Sequence, residues 1–126
     1  MAGASDFLVQ RAYEGAQVLL TWVPPDAVNY TELRILRTKA MWPASVDSAA
    51  LVMTDTPPFS LTEFSDRQAT PLEVAYYKLF QRRASDDAWE TSDLLQGKVL
   101  VLETGYFAEK MWALLPQLYH TTDGEQ

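Results

Sequence analysis

The stretch Gln17-Val18-Leu19-Leu20-Thr21-Trp22-Val23-Pro24-Pro25-Asp26 decides the fold class. Val18, Leu20 and Trp22 recur at every second residue, the period at which a β-strand turns its side chains to one face. A helix would need a spacing of three to four. The two prolines then stop the ladder, because proline has no N–H to donate to it. The segment reads as a strand with a tryptophan on its buried side.

The same pattern continues along the chain. Residues 32–39 alternate with Leu33 and Ile35 on one face and Arg34 and Leu36 on the other. Residues 41–58 hold Pro43, Ser45, Asp47, Ser48, Pro57 and Pro58 around one apolar run, Leu51-Val52-Met53, which predicts a loop containing a short edge strand. A short strand follows over 61–64, then a turn over 66–71. Residues 73–82 are rich in aromatic side chains, with Tyr77 and Leu79 on one face and Tyr76, Lys78 and Phe80 on the other. Residues 83–87 predict a charged hairpin loop. A last strand starts at Trp89, with a bulge expected at Gly97 before 98–102. Short strands separated by turn residues predict an all-β, seven-stranded sandwich over residues 5–102. Trp22, Leu33, Ile35, Tyr77 and Leu79 are its expected structural core.

From Thr104 the period changes to that of a helix. Phe107, Met111, Leu115 and Leu118 recur at three-to-four spacing, Thr104 suits an N-cap, and Pro116 should kink or end the element. Residues 103–126 are therefore expected to form a helical tail and polar C-terminus leading to a further domain or partner. Leaving Phe107, Met111, Trp112, Leu115 and Leu118 in water forgoes about 1.5–3 kcal/mol each. A lone helix of fewer than about 12–15 residues is marginal without packing. These five residues are the expected partner-binding surface. A sandwich already buries its own apolar faces, so the expectation is an intermolecular contact with self-association of the chain.

Composition narrows the function classes. Net charge is −7, with ten Lys and Arg scattered along 126 residues, so no basic stripe is set to neutralise a phosphate backbone and nucleic acid is not expected as a partner. No apolar run approaches the roughly 20 residues of a membrane span, and residues 1–10 lack the basic and apolar regions of a signal peptide. The expectation is synthesis in the cytoplasm without export. Cysteine is absent and His120 is the only histidine, which removes disulfides, thiolate metal sites and any Ser-His-Asp triad not based on a terminal histidine. No cofactor, metal or catalytic residue is expected.

Val18-Leu-Leu-Thr-Trp-Val-Pro-Pro25, Leu33-Arg-Ile-Leu-Arg37 with Trp42-Pro43 after it, Phe64-Ser-Asp66, Tyr76-Tyr-Lys-Leu-Phe80 and Trp89 follow one another in an order and spacing that resembles a bacterial fibronectin type III domain. The resemblance covers roughly residues 5 to 97. It implies an immunoglobulin-like sandwich with Trp22 in the core of the second strand and the paired Tyr76 and Tyr77 in the sixth. Ala69 and Ala75 stand where that family usually has a leucine and the tyrosine of a corner motif, so the corner hydrogen bond is either missing or made by a neighbour. Residues 106–123, Tyr-Phe-Ala-Glu-Lys-Met-Trp-Ala-Leu-Leu-Pro-Gln-Leu-Tyr-His-Thr-Thr-Asp, resemble the opening segment of phage tail proteins. That likeness implies a non-catalytic structural or interaction module with protein partners in a tail or baseplate assembly, carried in a virion or tail-like particle of a prophage.

Two other chemistries have candidate residues. Trp42 and Trp89, next to loops and joined by Tyr30, are the candidate ligand contacts of a carbohydrate-binding face, because aromatic rings make amphipathic stacking platforms. Asp86, Asp87, Glu90 and Asp93 crowd one hairpin, but without the glycine and the alternating spacing of a calcium loop. With Arg82 and Arg83 beside them they read as a solvated charged loop rather than a metal site or a glycosidase pair.

Overall fold

The computed structural model describes residues 3–11, 17–47 and 49–102. Its strands are β1 (Ser5–Arg11), β2 (Val18–Val23), β3 (Tyr30–Thr38), β4 (Ala50–Asp55), β5 (Glu63–Asp66), β6 (Val74–Arg83), β7 (Trp89–Glu90) and β8 (Gln96–Leu100). One antiparallel sheet has the order β1-β2-β5. The larger one has the order β4-β3-β6-β7, with β8 also paired to β6. The described residues are thus all-β in two sheets, an arrangement consistent with an immunoglobulin- or fibronectin type III-like sandwich. The predicted helix over 104–119 lies outside the described residues.

The core forms where the period-two faces of the two sheets meet. Val18, Leu20 and Trp22 of β2 face Leu33 and Ile35 of β3 and Tyr77 and Leu79 of β6, and all seven are nearly inaccessible to solvent. The indole N–H of Trp22 meets no acceptor among the described residues, so this side chain contributes by the volume it fills.

The structure departs from the sequence reading in three strands. The described residues form eight strands, not seven, because the last one is cut in two: a 3-10 turn at Asp93–Leu95 separates β7 from β8, both on β6. Ser92 caps that turn by accepting from Leu94 N–H. Gly97 is not a bulge. It pairs with Tyr77 in regular register, and a Cβ there would stand 2.7 Å from Val9 Cγ2. Close approach of β1 is therefore what glycine permits at this position. β5 begins at Glu63, not Leu61, and runs on to Asp66, because its pairing with β2 aligns Asp66 with Val18. β1 had no signal of its own: Asp6 has a positive φ of 51° and the register slips between Ser5 and Leu8, which breaks the alternation that Phe7 and Val9 would otherwise show.

Candidate functional site

The outward side of the larger sheet collects the two candidate ligand-contact tryptophans, Trp42 and Trp89. Because Leu33 and Ile35 point inward, Arg34 and Leu36 point out; because Tyr77 and Leu79 point inward, Tyr76, Lys78, Phe80 and Arg82 point out. Cross-strand register sets Arg34 beside Phe80 and Leu36 beside Lys78. The same register places Lys98 beside Tyr76 and Trp89 beside Arg82. The result is a face of aromatic, aliphatic and cationic side chains.

Both candidate tryptophans lie on this face, at its two ends. Trp42 meets Tyr76 edge-on with ring centroids 5.0 Å apart, and Lys98 Nζ stands 5.5 Å from the Tyr76 ring. The loop after β3 is turned onto the sheet by Thr38, whose hydroxyl donates to the Met41 carbonyl, and Pro43 beside Trp42 is fully buried. At the other end the Trp89 ring carries two guanidinium groups, Arg34 Cζ at 4.9 Å and Arg82 Cζ at 5.8 Å from its centroid. Glu32 orients them, at 2.8 Å from Arg34 Nε and 3.7 Å from Arg82 Nη1. Tyr76 and Arg82 are six residues apart on one strand, about 20 Å at the rise of a β-strand. The two tryptophans therefore do not converge on one sugar ring. Tyr30 does not join them, since its buried hydroxyl donates to Glu90 Oε2 at 2.7 Å.

The charged hairpin is internally paired. Arg83 donates from Nη2 to Asp86 Oδ2 at 2.9 Å and from Nη1 to Glu90 Oε1 at 3.1 Å. The Arg83 bond holds Asp86 below the usual carboxylate range, and Asp86 in turn raises Arg83. Glu90 also accepts from Gln81 Nε2 at 2.8 Å, and Gln81 Oε1 accepts from Ala4 N–H. This carboxylate ties together β3, β6 and the hairpin, and Gln81 extends the link to Ala4 just before β1. A cleft of about 310 Å³ beside it is lined by Asn29, Tyr30, Arg83 and Ser85.

A second carboxylate centre had no signal in the sequence. Asp66, on the smaller sheet and 2% exposed, accepts from Arg37 Nη1 at 2.6 Å and from Tyr77 Oη at 2.7 Å, both on the larger sheet. Its other oxygen accepts from Gln68 N–H. Burial and then the bond to Asp66 push the Tyr77 hydroxyl well above its ordinary range. A tyrosine two residues past Ala75 thus supplies a cross-sheet bond, made to a side chain. Phe107, Met111, Trp112, Leu115 and Leu118, the expected partner-binding residues, lie outside the described residues.

No family model matches the chain, and no curated protein matches it either. Among solved structures it is similar to a β-1,2-glucanase from Parabacteroides distasonis, with 16% identity and a TM-score of 0.48. That similarity covers 81% of this chain and 14% of the glucanase, so the chain spans about one seventh of the protein it matches.

Proposed function

We propose that this chain is a non-catalytic, fibronectin type III-like interaction module that spaces or docks components of a phage tail or tail-like assembly. In this reading the outward face of its larger sheet is the protein-contact surface. The observation that carries the proposal is the composition of that face: Arg34, Tyr76, Arg82 and Trp89 in register across β3, β6 and β7, with Trp42 set edge-on against Tyr76. Trp, Tyr and Arg dominate the binding energy of protein contacts, because each combines a large apolar area with a polar group or charge. The tail-assembly context is supported by the resemblance of residues 106–123.

A carbohydrate module would offer a ring face for a sugar to stack on, whereas Trp89 is occupied by two guanidinium groups. Co-expression with the products of the neighbouring genes tests the proposal. The wild-type chain is expected to co-purify with a tail component at fixed stoichiometry, and Arg34→Glu with Arg82→Glu to lose it at an unchanged unfolding midpoint. Saturable calorimetric binding of oligosaccharides that Trp89→Ala abolishes, with the fold intact, would replace this reading with the carbohydrate one.

A further inference from the structure

The sandwich has an open seam where β4 ends one sheet and β5 ends the other. Among the described residues β4 pairs with β3 alone and β5 with β2 alone. A groove of about 340 Å³ runs between the two edges, with half-buried Val52 and Phe64 as its apolar lining. Arg37 and Asp66 lie deep in it and the exposed Arg67 lies at its rim.

The β5 edge offers backbone groups that nothing in the fold uses. Trp22 N–H donates to the Thr62 carbonyl, and the register from Thr21↔Glu63 to Val18↔Asp66 continues that pairing without a slip. Hydrogen-bonded pairs alternate with non-bonded ones in an antiparallel ladder. Phe64 and Asp66 therefore turn their N–H and C=O to β2, while Glu63 and Ser65 turn theirs outward. Those outward groups meet no partner among the described residues. The β4 edge is a poorer template, because its register with β3 slips between Ile35 and Leu36, and an irregular strand bends away from further pairing.

The groove also holds an unmatched charge. Arg37 donates from Nη1 to Asp66, and the other N–H groups of its guanidinium meet no acceptor among the described residues. Arg67 makes no ion pair there, and both oxygens of Asp66 are already occupied. Two guanidinium groups against one carboxylate leave the lining with one positive charge, in a chain whose net charge is −7.

We propose that this groove takes an extended acidic segment of a partner protein, added to the sheet as a strand beside β5. The backbone of the segment pairs with the outward groups of Glu63 and Ser65. One Asp or Glu side chain meets Arg37 and Arg67 and brings the lining to neutrality. A strand turns every second residue to the same side, so apolar residues two places from that acid lie on Val52 and Phe64. A small organic acid would satisfy the guanidinium groups and leave the strand edge bare, whereas an extended peptide satisfies both. The site is separate from the outward face of the larger sheet, and neither reading depends on the other.

Panning a random linear peptide library against the full-length chain tests the proposal. Enriched peptides are expected to carry an Asp or Glu with an apolar residue two places away, and replacing that acid by its amide should weaken binding at least about tenfold. Ser65→Pro removes an edge-facing N–H that the fold leaves unpaired, so it should abolish binding at an unchanged unfolding midpoint. If proline lowers that midpoint, Arg67→Glu gives the reading from an exposed side chain, with a loss of about tenfold or more. With peptide bound, exchange of the Ser65 amide should slow by about tenfold while the amides of β6 stay unchanged. No enrichment, or enriched peptides indifferent to both substitutions, would overturn the proposal. Dimers that form with rising concentration and are lost in Ser65→Pro would put a second copy in place of the partner. Free succinate binding as tightly as the peptides would leave an anion site without strand addition.

Discussion

Asp66 and Glu90 are built from the same parts and differ in where the fold puts them. Each carboxylate accepts from one tyrosine hydroxyl and one guanidinium, Tyr77 and Arg37 for Asp66 and Tyr30 and Arg83 for Glu90. Asp66 is sealed between the sheets. Glu90 sits at the hairpin rim with a side chain 30% exposed, and its guanidinium partner is shared with Asp86. In low dielectric, removing one partner strands the charge on the other, whereas at the rim water replaces it. The same tyrosine-guanidinium pairing should therefore have unequal consequences at the two carboxylates.

The largest effects test whether the buried centre matters as much as the apolar core around it. Trp22→Ala should cost about 3–5 kcal/mol in denaturant unfolding, because it leaves a cavity between the sheets. Trp22→Phe should cost clearly less, since the indole N–H holds no partner. Asp66→Ala should cost about 3–5 kcal/mol as well, because it leaves Arg37 and Tyr77 facing each other without a carboxylate. A cost below that of Glu90→Ala would break the comparison. Glu90→Ala should cost about 1–2 kcal/mol, mainly through the buried Tyr30 hydroxyl and Gln81 amide that lose their acceptor.

Alkaline pH sharpens the comparison without mutation. Burial, then the bond to Glu90, pushes the Tyr30 hydroxyl up to about 12, and Tyr77 is raised by burial and by Asp66. Both folded-state values lie above the ordinary value of 10. The stability these protonated hydroxyls contribute is therefore complete below pH 10 and is lost as pH climbs through the folded-state range, where the unfolded chain is already ionised. The unfolding midpoint is expected to fall above about pH 10, the ordinary tyrosine value, with a flatter fall in Tyr30→Phe. A profile unchanged by that substitution would place the alkaline loss on other groups. The smallest effect is at the exposed end of the rim, where Asp86→Asn should leave the midpoint unmoved, as exposed ion pairs generally do.

Much of this architecture is determined by the sequence alone, because alternation is a local property of neighbouring residues. Trp22, Leu33, Ile35, Tyr77 and Leu79 point into the core for the same reason that Arg34, Leu36, Tyr76 and Lys78 point out of it, and Pro24 and Pro25 end their strand by their own chemistry. β1 escaped this reading because a positive φ at Asp6 and a register slip interrupt its period. The start of β5 was displaced because a short strand's ends are set by what it pairs with. The site depends still more on tertiary structure. Arg34 reaches Trp89 across 55 positions of chain, and Arg37, Asp66 and Tyr77 come from three strands in two sheets. No local pattern encodes those meetings. The outward face of the larger sheet came into being only when strand register aligned its cations and aromatic rings, because register is a relation between strands that no single strand contains.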